Sequence, residues 1–427
     1  MPRRKPSARS PASKRTASID LGLAAAAQLP SPAEAEALVR ARVQPLPVES
    51  RPLASLAGAV LAQSVRSERD QPPFDRVMMD GIALASQAWR AGRRRFRIAG
   101  TQPAGSPPLR LEDPDACFEA MTGAVLPRGC DCVIPVERLT VEDGVAVVDE
   151  GTPVEPFWNV HTRGLDCREG DMLLTRGTML GAPELAVLAS AGLPRADVHA
   201  DPRIVIVATG DELVAPDQPI EAWQVRRSNG YALRAALHLR GFHRVAEDHL
   251  PDDHAVLARR LATHLATHDV VLLTGGVSMG RFDHVPSVLR ELGVEEVFHK
   301  VAQRPGKPIW FGIGPSGQTV FGLPGNPVSS LVCLLRYAVP AIYAMQGAQP
   351  RRPEQVPLGA AHAVKAPLWH YLPVHVEQSP ALGGVAMPRP TRGSGDFVSL
   401  LGTDGFVELP PGPRELPAGC VVAFYRW

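Results

Sequence analysis

This chain of 427 residues lacks both a paired cysteine motif and a strong net charge. Its six cysteines are scattered without a Cys-x-x-Cys pair, which argues against a disulfide framework or a four-ligand zinc site and indicates free thiols in a reducing cytosol. The formal net charge is only +1, so no overall field recruits nucleic acid or an anionic membrane. Any acidic ligand must therefore be captured by a local site.

Uninterrupted apolar runs are also missing. The longest uncharged run, Pro308 to Leu335, contains nine glycine or proline residues, which would break a membrane-spanning helix several times. The first twenty residues carry six basic side chains and no acid before Asp20. We therefore predict no membrane span, a disordered basic tail over residues 1–20 rather than a targeting segment, and a cytoplasmic location.

The familiar phosphate-binding motifs are absent as well. No P-loop of the form G-x-x-x-x-G-K-[ST] occurs, and no G-x-G-x-x-G motif supports a dinucleotide site. A phosphorylated ligand would need another kind of loop.

What is present is an alternation of strands and helices in the middle of the chain. Buried strands are predicted over 203–208 and 269–274, and helices over 231–240, 252–268 and 328–345. This order indicates a doubly wound, mostly parallel α/β domain over residues 201–348. Short strands and turns predict β-rich domains on either side of it, over 51–159 and 349–427.

Three unusual loops follow strands or precede a helix of this domain. They are Thr209–Glu212, Thr274–Gly280 with Asp283 just beyond, and Gly322–Ser330. Because ligands bind at the carboxyl ends of the strands in such sheets, and glycines let backbone N–H groups approach a phosphate, the three loops together favour a phosphorylated ligand. The residues taken as ligand-binding are Gly275, Gly276, Ser278, Pro324, Gly325, Asn326 and Pro327.

Cations and acids complete the candidate site. Lys300, Arg304 and Lys307 surround a Pro-Gly turn and are suited to clamp a phosphate or oxyanion. The acids Glu212, Asp252 and Asp283 fall at strand ends or helix starts, and their hard oxygen ligands suit Mg²⁺. Asp252 has a plainer alternative role as the N-cap of the following helix.

An ordered set of motifs resembles the MoeA family, the molybdopterin molybdotransferases that include the C-terminal domain of gephyrin. The resemblance covers the chain from about residue 30 to its end. It rests on Phe74-Asp75 through Asp80-Gly81, Met121–Ala124, Thr209–Leu213, Ser228–Gly230, Asp252-Asp253, Gly275–Ser278 through Asp283, Arg304–Pro308 and Gly322–Ser329.

The resemblance implies a homodimer with its active site between two chains. It implies a central MogA-like three-layer domain, a small C-terminal β-barrel, and an elongated linker and dimerisation domain built from residues 21–50 and 160–200. It also implies the reaction, in which molybdate is inserted into adenylylated molybdopterin with release of AMP and assistance from Mg²⁺. Partners would be a pterin adenylyltransferase and downstream molybdoenzymes, with no nucleic acid or membrane.

By resemblance, a set of positions in this chain matches functional positions of the family. Catalytic roles fall on Asp80, Thr122, Glu212, Asp252 and Asp283, with the last three also as metal ligands, and substrate-binding roles on Asp166, Lys300, Arg304, Pro324, Pro327 and Ser394.

Several positions depart from the family pattern. Val77 stands where serine is common, Ile82 where tyrosine is common, and His161 where arginine is expected, while Arg281 and His284 replace a Glu–Tyr pair around Asp283. These departures leave open a paralogue that acts on another oxyanion such as tungstate. The resemblance to gephyrin leaves open a non-catalytic scaffold. Pterin adenylylation is a further alternative, because the related adenylyltransferases share an α/β domain of this kind, but the β-rich regions on both sides of it argue against that activity.

Overall fold

The computed structural model describes residues 29–276, 284–379 and 383–427. The predicted basic tail lies outside the described residues, as do Ser278, Arg281 and Asp283.

Within the described residues, the first helix begins with a side-chain cap at Ser31. Ser31 accepts a hydrogen bond from the backbone N–H of Glu34, and the Glu34 carboxylate accepts one from the Ser31 N–H. This reciprocal capping box satisfies two otherwise unpaired donors. The helices of residues 29–200 are α1 (Pro32–Arg42), α2 (Ser86–Arg90) and α3 (Ala182–Ser190).

Short strands dominate the same region. They are β1 (Val48–Pro52), β2 (Val65–Arg66), β3 (Arg76–Val77), β4 (Gly81–Leu84), β5 (Arg95–Gln102), β6 (Ala116–Ala120), β7 (Cys132–Pro135), β8 (Leu139–Glu142), β9 (Val145–Val148), β10 (Val160–His161), β11 (Met172–Leu174) and β12 (Arg195–His199). Strands β7-β4-β6-β5-β9-β8 form one sheet in that order. The pairs β1–β12, β2–β11 and β3–β10 join residues 48–77 to residues 160–199.

The middle region, residues 201–348, contains the predicted alternation. Its strands are β13 (Ile204–Thr209), β14 (Leu213–Val214), β15 (Val225–Arg226), β16 (Val245–Leu250), β17 (Val270–Thr274), β18 (Glu295–His299), β19 (Gln303–Arg304), β20 (Trp310–Ile313) and β21 (Thr319–Leu323). Its helices are α4 (Asn229–His238), α5 (His254–Thr267), α6 (Val285–Glu291), α7 (Pro327–Cys333) and α8 (Val339–Met345).

These strands form a sheet with apolar cores on both faces. The order is β16-β13-β17-β21-β20-β18, with β13 parallel to both of its neighbours and β17 parallel to β21. Ile204 and Ile206 pack in one core while Val205 and Val207 pack in the other. Because successive side chains of a strand point to opposite faces, burial on both sides requires the continuous apolar run seen in the sequence.

The end of this sheet differs from the prediction. The uncharged run from Pro308 forms an antiparallel hairpin of β20 and β21 before the last helical segment, and the sequence analysis did not predict either strand. Gly312 of β20 and Gly314 and Gly317 of the following turn match the G-x-G-x-x-G spacing. They connect two strands rather than a strand and a helix, so the spacing has no dinucleotide-binding context here.

The helix predicted over 328–345 is interrupted in its middle. A π turn over Leu334–Ala338 separates α7 from α8. The whole segment, Pro327–Met345, is long and apolar enough to cross a membrane, but 83% of its apolar window is buried inside the protein. It packs as a core helix against the α/β sheet.

The π turn carries a buried cation. Arg336 is 4% exposed, and its guanidinium donates to Glu36 of α1 and to Glu408, each at 2.6 Å. Since an unpaired buried charge is costly, these ion pairs hold α1, the α/β region and the C-terminal region in one arrangement.

The C-terminal region is a β structure whose main sheet includes one strand of the α/β region, β19. Its strands are β22 (Glu354–Pro357), β23 (His362–Val364), β24 (Trp369–Ser379), β25 (Gly383–Pro388), β26 (Gly405–Leu409), β27 (Arg414–Leu416) and β28 (Val421–Arg426). The main sheet has the order β19-β24-β26-β28-β22, with β25 on β24. Strand β19 therefore pairs with the C-terminal sheet although it precedes β20 and β21 in the chain.

Candidate functional site

A cavity of about 630 Å³ lies where β13, β17 and β21 end, and we call it the strand-end cavity. It brings together the three loops predicted from the sequence. The predicted site residues that line it are Glu212, Asp252, Gly275, Gly276, Pro324, Gly325, Asn326 and Pro327.

Glycine is required at the loop after β17 because the backbone of β13 approaches it closely. Gly275 has φ +97°, and a Cβ there would lie 2.6 Å from the Thr209 carbonyl oxygen. Gly276 has φ +62°, and its Cβ would lie 2.9 Å from Thr209 Oγ1. Both the left-handed backbone and the lack of space exclude a side chain, so this wall of the cavity is bare backbone.

The Asn229 side chain ties the loops together. Its Nδ2 donates to Thr274 Oγ1 and to the Gly325 carbonyl, both at 2.8 Å. Ser228 is the N-cap residue of α4, and its side chain makes no capping hydrogen bond. The Asn229 side chain therefore cross-links the loops that follow β17 and β21.

Two buried oxygens at this cavity lack a hydrogen bond within the described residues. They are Thr209 Oγ1 and Asn229 Oδ1, and Thr209 is 3% exposed. Buried polar atoms in native proteins are almost always paired. These atoms are therefore available to a ligand or its ordered water.

Glu212 and Asp252 supply the two described carboxylates of the strand-end cavity. The N-cap of α5 is Asp253, which accepts from the Val256 N–H at 2.8 Å, so the capping alternative for Asp252 is wrong. Asp283, the third predicted metal ligand, lies outside the described residues. Among residues 29–276, 284–379 and 383–427, no three His, Cys, Asp or Glu side chains cluster as a metal-ligand set.

A second cavity of about 540 Å³ adjoins the first, and we call it the cation cavity. The two share Pro308, Pro324 and Asn326. The cation cavity contains the predicted Arg304, Lys307 and Ser394, and its described lining residues include no carboxylate. Its charge is therefore positive, which suits an anion.

The cation cavity is assembled from two regions of the chain. Gln303 and Arg304 of β19 pair in parallel with Trp369 and His370 of β24. On the other side, Asn326 Nδ2 donates to Ser394 Oγ at 2.8 Å. The Ser394 carbonyl accepts from the Val328 N–H at 3.0 Å, so the C-terminal loop is bonded to the start of α7.

A buried polar network fixes the start of the loop that carries Arg304 and Lys307, which we call the cation loop. Gln303 is fully buried, and its side chain accepts a hydrogen bond from the Tyr337 hydroxyl. The Tyr371 hydroxyl lies 3.3 Å from that of Tyr337 and donates to Glu408 at 3.1 Å. These contacts connect the loop to the Arg336 ion pairs, which restricts its position.

Other predicted site residues lie elsewhere in the chain. Asp80 accepts from the Thr122 backbone N–H at 2.7 Å and from its hydroxyl at 2.8 Å, and these bonds lower the pKa of the Asp80 carboxyl. Asp166 lies 2.8 Å from His161 Nε2. Lys300 has φ +80° at the end of β18. None of Asp80, Thr122, Asp166 and Lys300 is among the described residues that line the two cavities.

The structure adds residues that the sequence analysis did not select. Arg226 and Arg227 line the strand-end cavity, and His362, His370 and Arg392 line the cation cavity. The pair of arginines directly before Ser228-Asn229 was a usable signal. The other three lie in short strands and turns with no local pattern, so nothing in the sequence alone connected them to Arg304.

Family models match the chain along most of its length. They are the MoeA N-terminal region (domain I and II) at residues 30–192, the probable molybdopterin binding domain at 205–344, and the MoeA C-terminal region (domain IV) at 355–427.

Relatives and solved structures agree with these matches. The molybdopterin molybdenumtransferase of Synechocystis sp. is 42% identical over 373 residues, which cover 87% of this chain and 93% of the relative. That of Synechococcus elongatus is 33% identical, with 95% and 98% covered. A molybdopterin biosynthesis MoeA protein from Pyrococcus horikoshii OT3 superposes with a TM-score of 0.78 at 25% identity, covering 94% of this chain and 100% of that one.

These similarities confirm the predicted fold class, a MogA-like α/β domain flanked by further domains. With its ordered motifs and near full-length coverage of these relatives, the chain belongs to the MoeA family.

Proposed function

We propose that this chain is a molybdopterin molybdotransferase that inserts molybdate into adenylylated molybdopterin and releases AMP. The observation that carries the proposal is the wall shared by two cavities of different charge. The strand-end cavity offers two carboxylates, two arginines and bare backbone, while the cation cavity has Arg304, Lys307 and Arg392 and no described carboxylate. A reaction that brings two anions together needs two such neighbouring sites.

The strand-end cavity has the chemistry to hold the adenylylated pterin with Mg²⁺. Mg²⁺ uses one or two protein carboxylates together with substrate phosphate oxygens and waters, and Glu212 and Asp252 fit that requirement. Asp283 is expected to join them. When bound, Mg²⁺ neutralises phosphate charge as the phosphoanhydride breaks. The unpaired Thr209 Oγ1 and Asn229 Oδ1 would bind the substrate or the waters around it.

The cation cavity has the chemistry to hold molybdate. Arg304 offers a planar fork to two oxygens, and Lys307 offers a compact charge. The Ser394 hydroxyl lines this cavity and accepts a hydrogen bond from Asn326, which lines both cavities. Molybdate bound there would lie on the other side of Pro308 and Pro324 from the pterin.

A homodimer with a shared site explains the remaining predicted residues. Asp80 is exposed, held by Thr122, and far along the chain from both cavities. We propose that a second copy supplies Asp80, Thr122 and Asp166 to the cavities of the first. The location is cytoplasmic, where a pterin adenylyltransferase would provide the substrate and molybdoenzymes would accept the product.

The decisive assay is AMP release by the purified full chain supplied with adenylylated molybdopterin. Release should require both Mg²⁺ and molybdate. Equal release with tungstate and none with molybdate would identify the paralogue that acts on another oxyanion. No release under any of these conditions would contradict the enzymatic function and favour a scaffold.

Mixed dimers test the shared site. An Asp80→Asn chain paired with a Glu212→Gln chain should regain about half of the wild-type release, because one of the two sites then has both acids. The reverse control pairs a wild-type chain with a chain that carries both substitutions. That dimer should be inactive if the site is shared, and half active if each chain holds a complete site.

A further inference from the structure

The cation cavity contains two imidazoles to which the proposed function gives no role. His362 of β23 and His370 of β24 line it together with Arg304 and Lys307. Their ring centroids are 5.6 Å apart with an interplanar angle of 62°. Neither ring is hydrogen-bonded to another described residue, in contrast to His375 on the same strand, which lies 2.8 Å from Asp404.

Backbone pairing places His370 beside the main cation of the cavity. In the parallel ladder of β19 and β24, His370 is the direct partner of Arg304. Side chains of directly paired residues lie on the same face of a sheet. An anion held by Arg304 would therefore be within reach of the His370 ring.

The charged and titratable groups around His370 are nearly all basic. His362, Arg304, Lys307 and Arg392 line the cavity with it, while the hydroxyl of the neighbouring Tyr371 is hydrogen-bonded to Glu408. On the other neighbouring strand, β26, its partner is Leu409. The adjacent Glu408 is engaged by Arg336 and Tyr371, so its charge is already balanced.

This surrounding keeps both rings neutral when no anion is bound. Burial, then His362 and then Arg304 lower the pKa of His370 to about 4. Burial also lowers the pKa of His362. A dianion in the cavity would reverse the effect, because a nearby opposite charge favours the protonated ring.

We propose that His362 and His370 are oxyanion-binding residues that take up one proton between them when a divalent oxyanion enters the cation cavity. The inference rests on the proposed function, since it assigns the oxyanion to this cavity. One shared proton is expected rather than two, because two charged rings at this separation would repel each other.

The coupling has a definite sign. The pair has a low pKa without the anion and a higher pKa with it, so protons are taken up between the two values. Affinity should therefore rise as the pH falls through that interval, by up to about tenfold per pH unit. A site made only of Arg304 and Lys307 would show no such dependence.

Titration calorimetry with the full chain tests this directly. Sulfate is the first probe because it remains a dianion in mild acid, and molybdate is the second. Each is titrated between about pH 5.5 and about pH 7.5 in two buffers of different ionisation enthalpy, whose difference in heat gives the number of protons taken up. We expect close to one proton per anion at the acid end, and tighter binding there.

Substitutions of the two histidines test whether they are the groups that take up the proton. His362→Gln with His370→Gln should abolish the uptake and flatten the pH dependence, while Arg304 and Lys307 still bind the anion. His375→Gln is the matched control and should leave both unchanged. If the double variant unfolds, His370→Gln alone should reduce the uptake.

Three results would overturn the inference: binding without proton uptake, uptake that persists in the double variant, or no binding of either anion. The AMP-release assay is independent of these. Release without proton uptake rejects this inference alone, whereas proton uptake without release rejects the proposed enzyme and leaves the anion site in place.

Discussion

The strand-end cavity and the cation cavity share three residues but are built in different ways. The first is made by loops of one sheet, at the ends of β13, β17 and β21. The second is made where β19 joins the C-terminal sheet and where Ser394 bonds to the start of α7. The comparison shows how a carboxylate-bearing site and a site without described carboxylates lie side by side, since the second adds side chains of the C-terminal region to a loop of the α/β region.

If this division is functional, removing a charge from one cavity should leave the other intact. The largest effect is expected for Glu212→Gln, which preserves shape but removes a carboxylate from the strand-end cavity. AMP release should fall by about 100- to 1000-fold, because metal binding and charge stabilisation are lost together. Sulfate binding by calorimetry should change by less than about twofold. An equal loss of both would show that the cavities are one unit.

Arg304→Ala instead removes a positive charge from the cation cavity. It removes a charge-assisted contact worth about 1.5–3 kcal/mol, so the KM for molybdate should rise by about 10- to 100-fold. Binding of adenylylated pterin, measured without molybdate, should be unaffected. Lys365→Ala, which removes a cation outside the described lining of both cavities, is the control. A reduced pterin affinity in Arg304→Ala alone would place the phosphate, not the oxyanion, at Arg304.

Alanine substitution of one glycine in each cavity tests the difference between the cavities through the backbone. Gly275 and Gly306 have φ +97° and +89°, and a Cβ would lie 2.6 Å from the Thr209 carbonyl or from Cys333 Sγ, respectively. Alanine at either position should cost about 1–3 kcal/mol in strain, seen as a lower Tm. Gly275→Ala should mainly impair AMP release, and Gly306→Ala should mainly weaken anion binding.

Gly58→Ala serves as the control for these glycine variants. Gly58 has φ +79° with nothing within 4 Å of a Cβ, so it reports backbone strain without steric contact. If it impairs either function as much as the two cavity variants, the close contacts are irrelevant.

The smallest effect is expected for Tyr337→Phe, because Tyr337 contacts the cation loop through the buried Gln303 side chain. It deletes the hydroxyl that donates to Gln303, and should cost about 0.5–1.5 kcal/mol of unfolding free energy. If the network positions the loop, the KM for molybdate should also rise about twofold to fivefold while kcat remains unchanged. An unchanged KM with a lower Tm would restrict the network to stability.

The sequence predicted the strand-end cavity well because its parts follow from local patterns. The buried strands at 204–209 and 270–274 are continuous apolar runs, and both end in glycine-bearing loops. Parallel neighbours bring their carboxyl ends to one edge, so the meeting of Glu212, Gly275 and Pro324 is a consequence of strand order. The same reasoning missed the β20–β21 hairpin, since its uncharged, glycine-rich run has no regular alternation.

The cation cavity was only partly predictable, and the physical reason is sequence separation. Lys300, Arg304 and Lys307 stand out as a cluster in the sequence, but the structure takes Arg304 and Lys307 into the cavity and places Lys300 outside its described lining. Arg304 is paired with His370 across two parallel strands, and Ser394, which is hydrogen-bonded to Asn326, lines the same cavity. By itself the sequence determined the family, the α/β sheet and the loops at its edge, because those depend on residues close together in the chain. Only the tertiary structure decided which distant side chains complete the anion site, because the pairing of β19 with β24 is settled by packing between two regions and leaves no local signature.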